Sequence, residues 1–296
     1  MRVEVLLNDR AGTSVTSPDA VAQALAAAGA DPQIQCVPGD KLQDAARQAM
    51  ARRPDAIVAG GGDGTVSAVA GALAGGETPM GVLPLGTLNH FAKDNGIPLE
   101  LSEAAAVVAA GHVRRVDLAR VNERVFVNNS SLGVYARALV DRDARRDHLG
   151  MSKWPAMLLA ILKIFRRSPL LRVRLATDEE SLVRQTPLVF IGNNRYDLEL
   201  FRVGARTCLD EGTLSMYIAN TTTRWGMFVL CVRAALGRLE QSRDFETRCV
   251  EGVRIATRRA TTLVAVDGEV LLMETPLEYQ ALPGALELLV PRGVQP

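Results

Sequence analysis

Six residues, Gly60-Gly61-Gly62-Asp63-Gly64-Thr65, constrain this chain more than any other feature. They follow an apolar run, Ala56 to Ala59, and precede a helical pattern from Val66 to Leu73. A strand that ends in glycines and feeds a helix lets backbone approach a ligand closely and tolerates positive φ. The helix start adds unpaired N–H groups and the positive end of the dipole, so the junction suits an anion such as phosphate. Asp63 puts a carboxylate beside that anion site, which fits a nearby cation such as Mg²⁺ or a reacting hydroxyl. No Lys-Ser/Thr pair follows, so this is not a Walker A loop, and the spacing is not a GxGxxG dinucleotide fingerprint. A plain strand-to-helix turn is the structural alternative.

With 296 residues, 48% of them hydrophobic, the chain can build one large domain or two ordinary ones. That apolar share and a net charge of +1 exclude a disordered chain, and near-neutrality argues against a general nucleic-acid binder. Cys36, Cys208, Cys231 and Cys249 are far apart and match no metal or redox spacing. With no secretion signal at the N-terminus, they read as thiols of a reducing cytoplasm. No uninterrupted apolar run approaches the ~20 residues of a membrane-spanning helix.

Up to about residue 120 strands and helices alternate. Strands are expected at Val3–Asn8, Gln33–Val37, Ala56–Ala59 and Gly81–Pro84, and helices at Pro18–Ala30, Lys41–Arg52, Val66–Leu73 and Asn89–Asn95. Alternation of this kind predicts a parallel sheet covered by helices, with ligands beyond the carboxyl ends of its strands. Asn8, the glycine run and Thr87 all fall at those ends. From about Val116 the pattern turns to strands and hairpins, interrupted by helical stretches at Tyr135–Arg146, Lys153–Arg167 and Trp225–Leu239, which predicts an antiparallel sandwich. The expected fold is therefore α/β plus β. An N-terminal parallel-sheet α/β domain over 1–124 precedes a C-terminal antiparallel β-sandwich over 125–296, whose last strand can return to the first domain.

Three further motifs stand out: Pro84-Leu85-Gly86-Thr87-Leu88-Asn89 at a strand end, Leu209-Asp210-Glu211-Gly212 in a loop, and Asp267-Gly268-Glu269 between two apolar strands. With the glycine run they resemble, in order, the diacylglycerol kinase catalytic-domain family, and within it the soluble bacterial lipid kinases. The glycine run by itself also occurs in NAD kinases and resembles one in phosphofructokinases. The resemblance implies two domains with the active site in the cleft between them. It implies ATP held by Asn8, Gly61, Gly62, Asp63, Gly64, Thr65 and Thr87, and Asp267 as the base that activates the acceptor hydroxyl. It also implies a structural Mg²⁺ at Asp210 and Glu211. Phosphoryl transfer needs just such parts: phosphates held in line, charge neutralised, and a proton acceptor. Asp63 fits near the metal, and Glu269 fits as orienter or metal ligand.

Each motif has a structural alternative. Asp267-Gly268 is also a type I′ hairpin turn, Thr87 a helix cap, and Ser130-Ser131 a polar turn. The chain departs from the family at Asn8-Asp9, where relatives have Asn-Pro, at Thr13, at Asn89-His90-Phe91, and over Tyr196–Glu199.

Charge is uneven along the chain. Residues 137–174 hold ten Lys/Arg against three acids, and Trp154, Met157, Leu158, Ile161, Leu162 and Phe165 share one helical stripe there. A basic, apolar face suits a peripheral kinase working on a lipid at an anionic membrane surface on the cytoplasmic side, while a helix packed on the sandwich is the alternative. The remaining readings are a soluble-substrate kinase of NAD kinase type and a silent nucleotide- or lipid-binding regulator. As to assembly, monomer and homodimer both stay open.

Overall fold

The computed structural model describes residues 1–9, 17–137, 139–140, 170–177, 180–193, 212–235 and 244–293. The chain divides into two compact units. The first takes Met1–Leu118, Arg124–Asn128 and Leu282–Pro296, and the second takes Ala119–Glu123 and Asn129–Ala281.

In the first unit β1 (Arg2–Asn8), β2 (Asp31–Val37), β3 (Ala56–Gly61) and β4 (Met80–Pro84) form a parallel sheet in the order β2-β1-β3-β4. The end of β16 (Leu277–Leu289) adds beside β4, with Leu288 opposite Met80. β3 is buried along its whole length, as its apolar run requires. The helices are α1 (Pro18–Ala27), α2 (Leu42–Ala51), α3 (Asp63–Leu73), α4 (His90–Asp94) and α5 (Leu101–Ala110). Helix α1 starts where Pro18 follows Ser17, whose hydroxyl accepts from the Ala20 N–H at 3.1 Å. Right-handed crossovers in this strand order place α1 on one face of the sheet and α2 and α3 on the other. In keeping with this, α1 packs with α5, and α2 with α3. The chain reverses direction between β1 and β3, so the carboxyl ends of those two strands flank the switch point where α/β sheets bind ligands.

The second unit is built from two antiparallel sheets. One has the order β12-β11-β10-β7-β14-β15, formed by β7 (Asn129–Gly133), β10 (Leu188–Asn193), β11 (Leu214–Ala219), β12 (Phe245–Val250), β14 (Thr261–Val266) and β15 (Glu269–Glu274). The other joins the start of β16 to β13 (Gly252–Thr257), β8 (Leu171–Ala176) and β9 (Ser181–Thr186). Buried hydroxyls bridge them: Ser130 Oγ lies 2.9 Å from Tyr279 Oη, and Thr186 Oγ1 donates to the Ala219 carbonyl at 3.0 Å. Burial pushes the Tyr279 phenol well above its usual range, with the Ser130 hydrogen bond opposing. The antiparallel sandwich expected from the sequence is present, beside the expected parallel α/β unit.

Several elements differ from the expectation. Helix α5 and strands β9 and β12 were not anticipated, and β16 is a single long strand, Leu277–Leu289. Ser130 and Ser131 lie in strand β7, not in a polar turn, and both are fully buried. The expected helix at 225–239 is α6 (Arg224–Ala235). That at 135–146 begins at residue 134, with residues 141–146 outside the described residues, and that at 153–167 lies wholly outside them. Cys36 is free and exposed, but Cys249 is disulfide-bonded, against the expectation of scattered thiols.

Candidate active site

The glycine run occupies the end of β3 and the first turn of α3. Gly60 and Gly61 are strand residues, Gly62 is the N-cap in extended conformation, and the helix starts at Asp63. None of the glycines of this run takes positive φ. Their need for glycine is steric instead. A Cβ on Gly60 would collide with Leu7, one on Gly61 with Thr65, and one on Gly86 with Gly62. Gly62 differs, since its Cβ would sit 3.4 Å from the Gly86 Cα. Residues 62–64 are partly open to solvent, so the α3 N-terminus offers its unpaired amides to an anion. Asn8 ends β1 across the switch point, and its Nδ2 donates to Thr65 Oγ1 at 3.1 Å.

Asp63 acts on the neighbouring loop. Its Oδ2 accepts from the His90 N–H at 3.2 Å, and its Oδ1 accepts from the Phe91 N–H at 3.1 Å and from Asn128 Nδ2 at 3.3 Å. The carboxylate thus caps α4, whose own N-cap residue Asn89 gives it no side-chain bond. Asn89 is in the left-handed region at φ 50 and ψ 46, which asparagine tolerates better than most residues. It is 7% exposed. Its Oδ1 accepts from the Gly86 N–H, and its Nδ2 donates to the carbonyls of Pro84 and Gly86. Thr87 stands exposed at the tip of this loop, so it is open to a ligand and does not cap the helix.

These contacts explain two departures from the family. His90 is used through its backbone N–H, so the side chain there is free to vary. The Asp9 N–H donates to the Val37 carbonyl at 3.2 Å, extending the β1–β2 ladder by a bond that proline could not make. Sequence reading quoted Asn89 within the Pro84–Asn89 motif without giving it a role, and gave none to Asn128; for Asn89, an Asn that follows a glycine by three residues at a helix start was the available signal.

In the second unit Asp267 and Gly268 form the two-residue turn between β14 and β15, with Val266 opposite Glu269. Both take positive φ, 45° and 87°, as a type I′ turn requires. The turn is also a clamp. Asp267 Oδ1 accepts from the Asn129 N–H at 2.9 Å, and the Asp267 N–H donates to the Asn129 carbonyl at 2.9 Å. A partly exposed carboxylate is thereby fixed against the central strand β7, while Glu269 is exposed at the start of β15. The hairpin and the functional reading of Asp267-Gly268-Glu269 are compatible.

Asp210 and Glu211, Thr13 and Tyr196–Glu199 lie outside the described residues. Among the described residues no cluster of three or more His, Cys, Asp or Glu is arranged to hold a metal. No helix among them is long and apolar enough to cross a membrane. Of the basic segment, Arg137, Arg172 and Arg174 are described; Arg137 is half-buried, and Arg172 and Arg174 stand exposed on β8.

Residues 2–121 match the diacylglycerol kinase catalytic domain, and residues 128–290 match the YegS C-terminal NAD kinase beta sandwich-like domain. The Pseudomonas aeruginosa protein named "Probable lipid kinase YegS-like" is 30% identical over 260 residues, covering 83% of this chain and 80% of that one. The diacylglycerol kinase of Mycobacterium tuberculosis H37Rv is 28% identical over 258 residues, 82% of this chain and 79% of that one. An uncharacterized Synechocystis protein, sll0036, is 26% identical over 85% of this chain, which spans 58% of that protein. A crystal structure of a Bacillus anthracis diacylglycerol kinase has the same fold, with a TM-score of 0.70 at 21% identity, covering 99% of this chain and 98% of that one. The chain belongs to the diacylglycerol kinase and YegS-like lipid kinase family, and it is a kinase.

Proposed function

We propose that this protein is an ATP- and Mg²⁺-dependent lipid kinase that transfers the γ-phosphate to a hydroxyl of diacylglycerol or a similar lipid. The observation that carries the reading is the α3 N-terminus at the switch point, open at residues 62–64 and backed by Gly61 and Gly86, where a Cβ would run into Thr65 and the Gly62 backbone. Its amides hold the nucleotide phosphates, with Asn8 and Thr87 alongside. The lipid hydroxyl oxygen attacks the γ-phosphorus, the bond to the β-phosphate oxygen breaks, ADP leaves, and the hydroxyl proton passes to Asp267. The Asn129 N–H orients that carboxylate. Mg²⁺ would arrive with the triphosphate and offset its charge; no step is assigned to a protein-held metal. The acceptor is met at an anionic membrane surface on the cytoplasmic side, to which exposed basic residues such as Arg172 and Arg174 are drawn.

The test is transfer from γ-labelled ATP to a panel of diacylglycerol, monoacylglycerol, ceramide, sphingosine and NAD. A labelled lipid is the expected product. Asp267→Asn keeps the shape of the turn and removes the proton acceptor, so turnover should fall by roughly 100-fold or more, with ATP affinity little changed. Label in NAD alone, or in none of the acceptors, would overturn the reading.

A further inference from the structure

Ser131 is fully buried at the middle of β7, and its Oγ has no hydrogen-bond partner in the protein. Other buried hydroxyls in this unit are partnered: Ser130 by Tyr279, and Thr186 by the Leu188 and Ala219 carbonyls. An unpaired buried hydroxyl costs stability, so its retention asks for a partner that comes from outside the chain.

Its position indicates what that partner is. Ser131 and Asn129 are two apart on one strand, so they share a face of the sheet. Asn129 is the residue that holds Asp267. It does so through its backbone N–H and carbonyl, and the next position on β7 that shares the Asn129 face is Ser131, about 7 Å further along the strand. Its cross-strand neighbours are Phe190 on one side and Ala265 on the other. Beyond them on the same face lie Leu188, Leu263 and Val270, all partly buried. The order is carboxylate, isolated hydroxyl, then apolar side chains.

We propose that Ser131 recognises the acceptor, donating a hydrogen bond to the ester or amide carbonyl nearest the hydroxyl that is phosphorylated. The assignment rests on the lipid kinase reading. An amphiphile with its hydroxyl at Asp267 presents such a carbonyl one short step inward, and its chains follow onto the apolar strip. Ser131 Oγ–H donates and the carbonyl oxygen accepts, which satisfies the hydroxyl only when acceptor is bound.

Two measurements on Ser131→Ala test this. The first compares kcat/KM for a diacylglycerol with that for its dialkyl ether analogue, which keeps the hydroxyl and the chains but lacks the carbonyls. The variant should lose about tenfold on the ester and little on the ether. Equal loss on both, or none on the ester, would overturn the assignment. The second is thermal melting without substrate, where deleting an unpartnered hydroxyl should leave Tm unchanged or raise it. A clear fall in Tm would show a structural partner and also overturn it. Absence of lipid turnover in the parent protein would instead remove the kinase reading beneath it, an outcome distinct from equal loss on ester and ether.

Discussion

At the scale of single residues, the glycine run was legible as a strand-to-helix junction, but its need for glycine has a different physical reason. Sequence reading invoked positive φ; the structure shows ordinary φ and crowding by Leu7, Thr65 and Gly86. Crowding depends on neighbours brought in by the fold, which no local pattern encodes. The same holds for Asp63, whose partners His90, Phe91 and Asn128 are remote in sequence. Gly62 gives the cleanest test of the loop, because it is the position where a Cβ meets only ordinary contact at 3.4 Å. Gly62→Val should stay folded, at about 1 kcal/mol for a poorer N-cap residue. ATP affinity should fall by about tenfold or more, since a branched side chain blocks the approach of phosphate to amides whose charge-assisted bonds are worth roughly 1.5–3 kcal/mol each. Calorimetric titration with ATP beside a melting curve reads both, and unchanged affinity in a folded variant would refute the phosphate-loop assignment.

Among the elements, those with clean periods were read well and those with mixed signals were not. The buried run of β3 stood out. Strand β16 did not, because Pro283-Gly284 reads as a turn. The strand passes through it as an irregularity, with Gly284 at φ 57 and its N–H donating to Asp117 Oδ1 at 2.6 Å. Strand β12 hides its pattern behind charge, since Glu246 and Arg248 are spent on an ion pair with each other and Glu246 on another with Arg184. Helix α4, at five residues, is too short to stand alone and depends on its external cap. Asp63→Ala should therefore loosen the Gly86–Asp94 segment while β1 and β3 stay protected, at a cost of about 1–2 kcal/mol. Hydrogen exchange by mass spectrometry would show it as faster exchange confined to that segment. Protection there equal to the parent's would mean the carboxylate does not hold the loop.

For the whole molecule, the division into units does not follow the order of the chain. The core of the first unit includes Leu286, Leu288, Leu289 and Val290, all within 5% of full burial, together with the strands near the N-terminus. Fully burying an aliphatic side chain of this kind contributes roughly 1.5–3 kcal/mol. Four of them together amount to much of the 5–15 kcal/mol that typically holds a domain folded. A fragment of residues 1–128 should consequently show no cooperative thermal transition, and the same fragment joined through a flexible linker to 282–296 should regain one. Differential scanning calorimetry of the two fragments decides the point, and a sharp transition in the shorter one would contradict it.

The late arrival of those core residues has a consequence for how the protein is made. Ribosomes release chain from the N-terminus at about 5–20 residues per second, and domains ordinarily fold as they emerge. Here the unit that carries the glycine run cannot close its core until Leu286–Val290 have been synthesised. Its folding waits on the far side of the second unit, and the nascent chain must keep β1 to β4 soluble while that whole unit is translated.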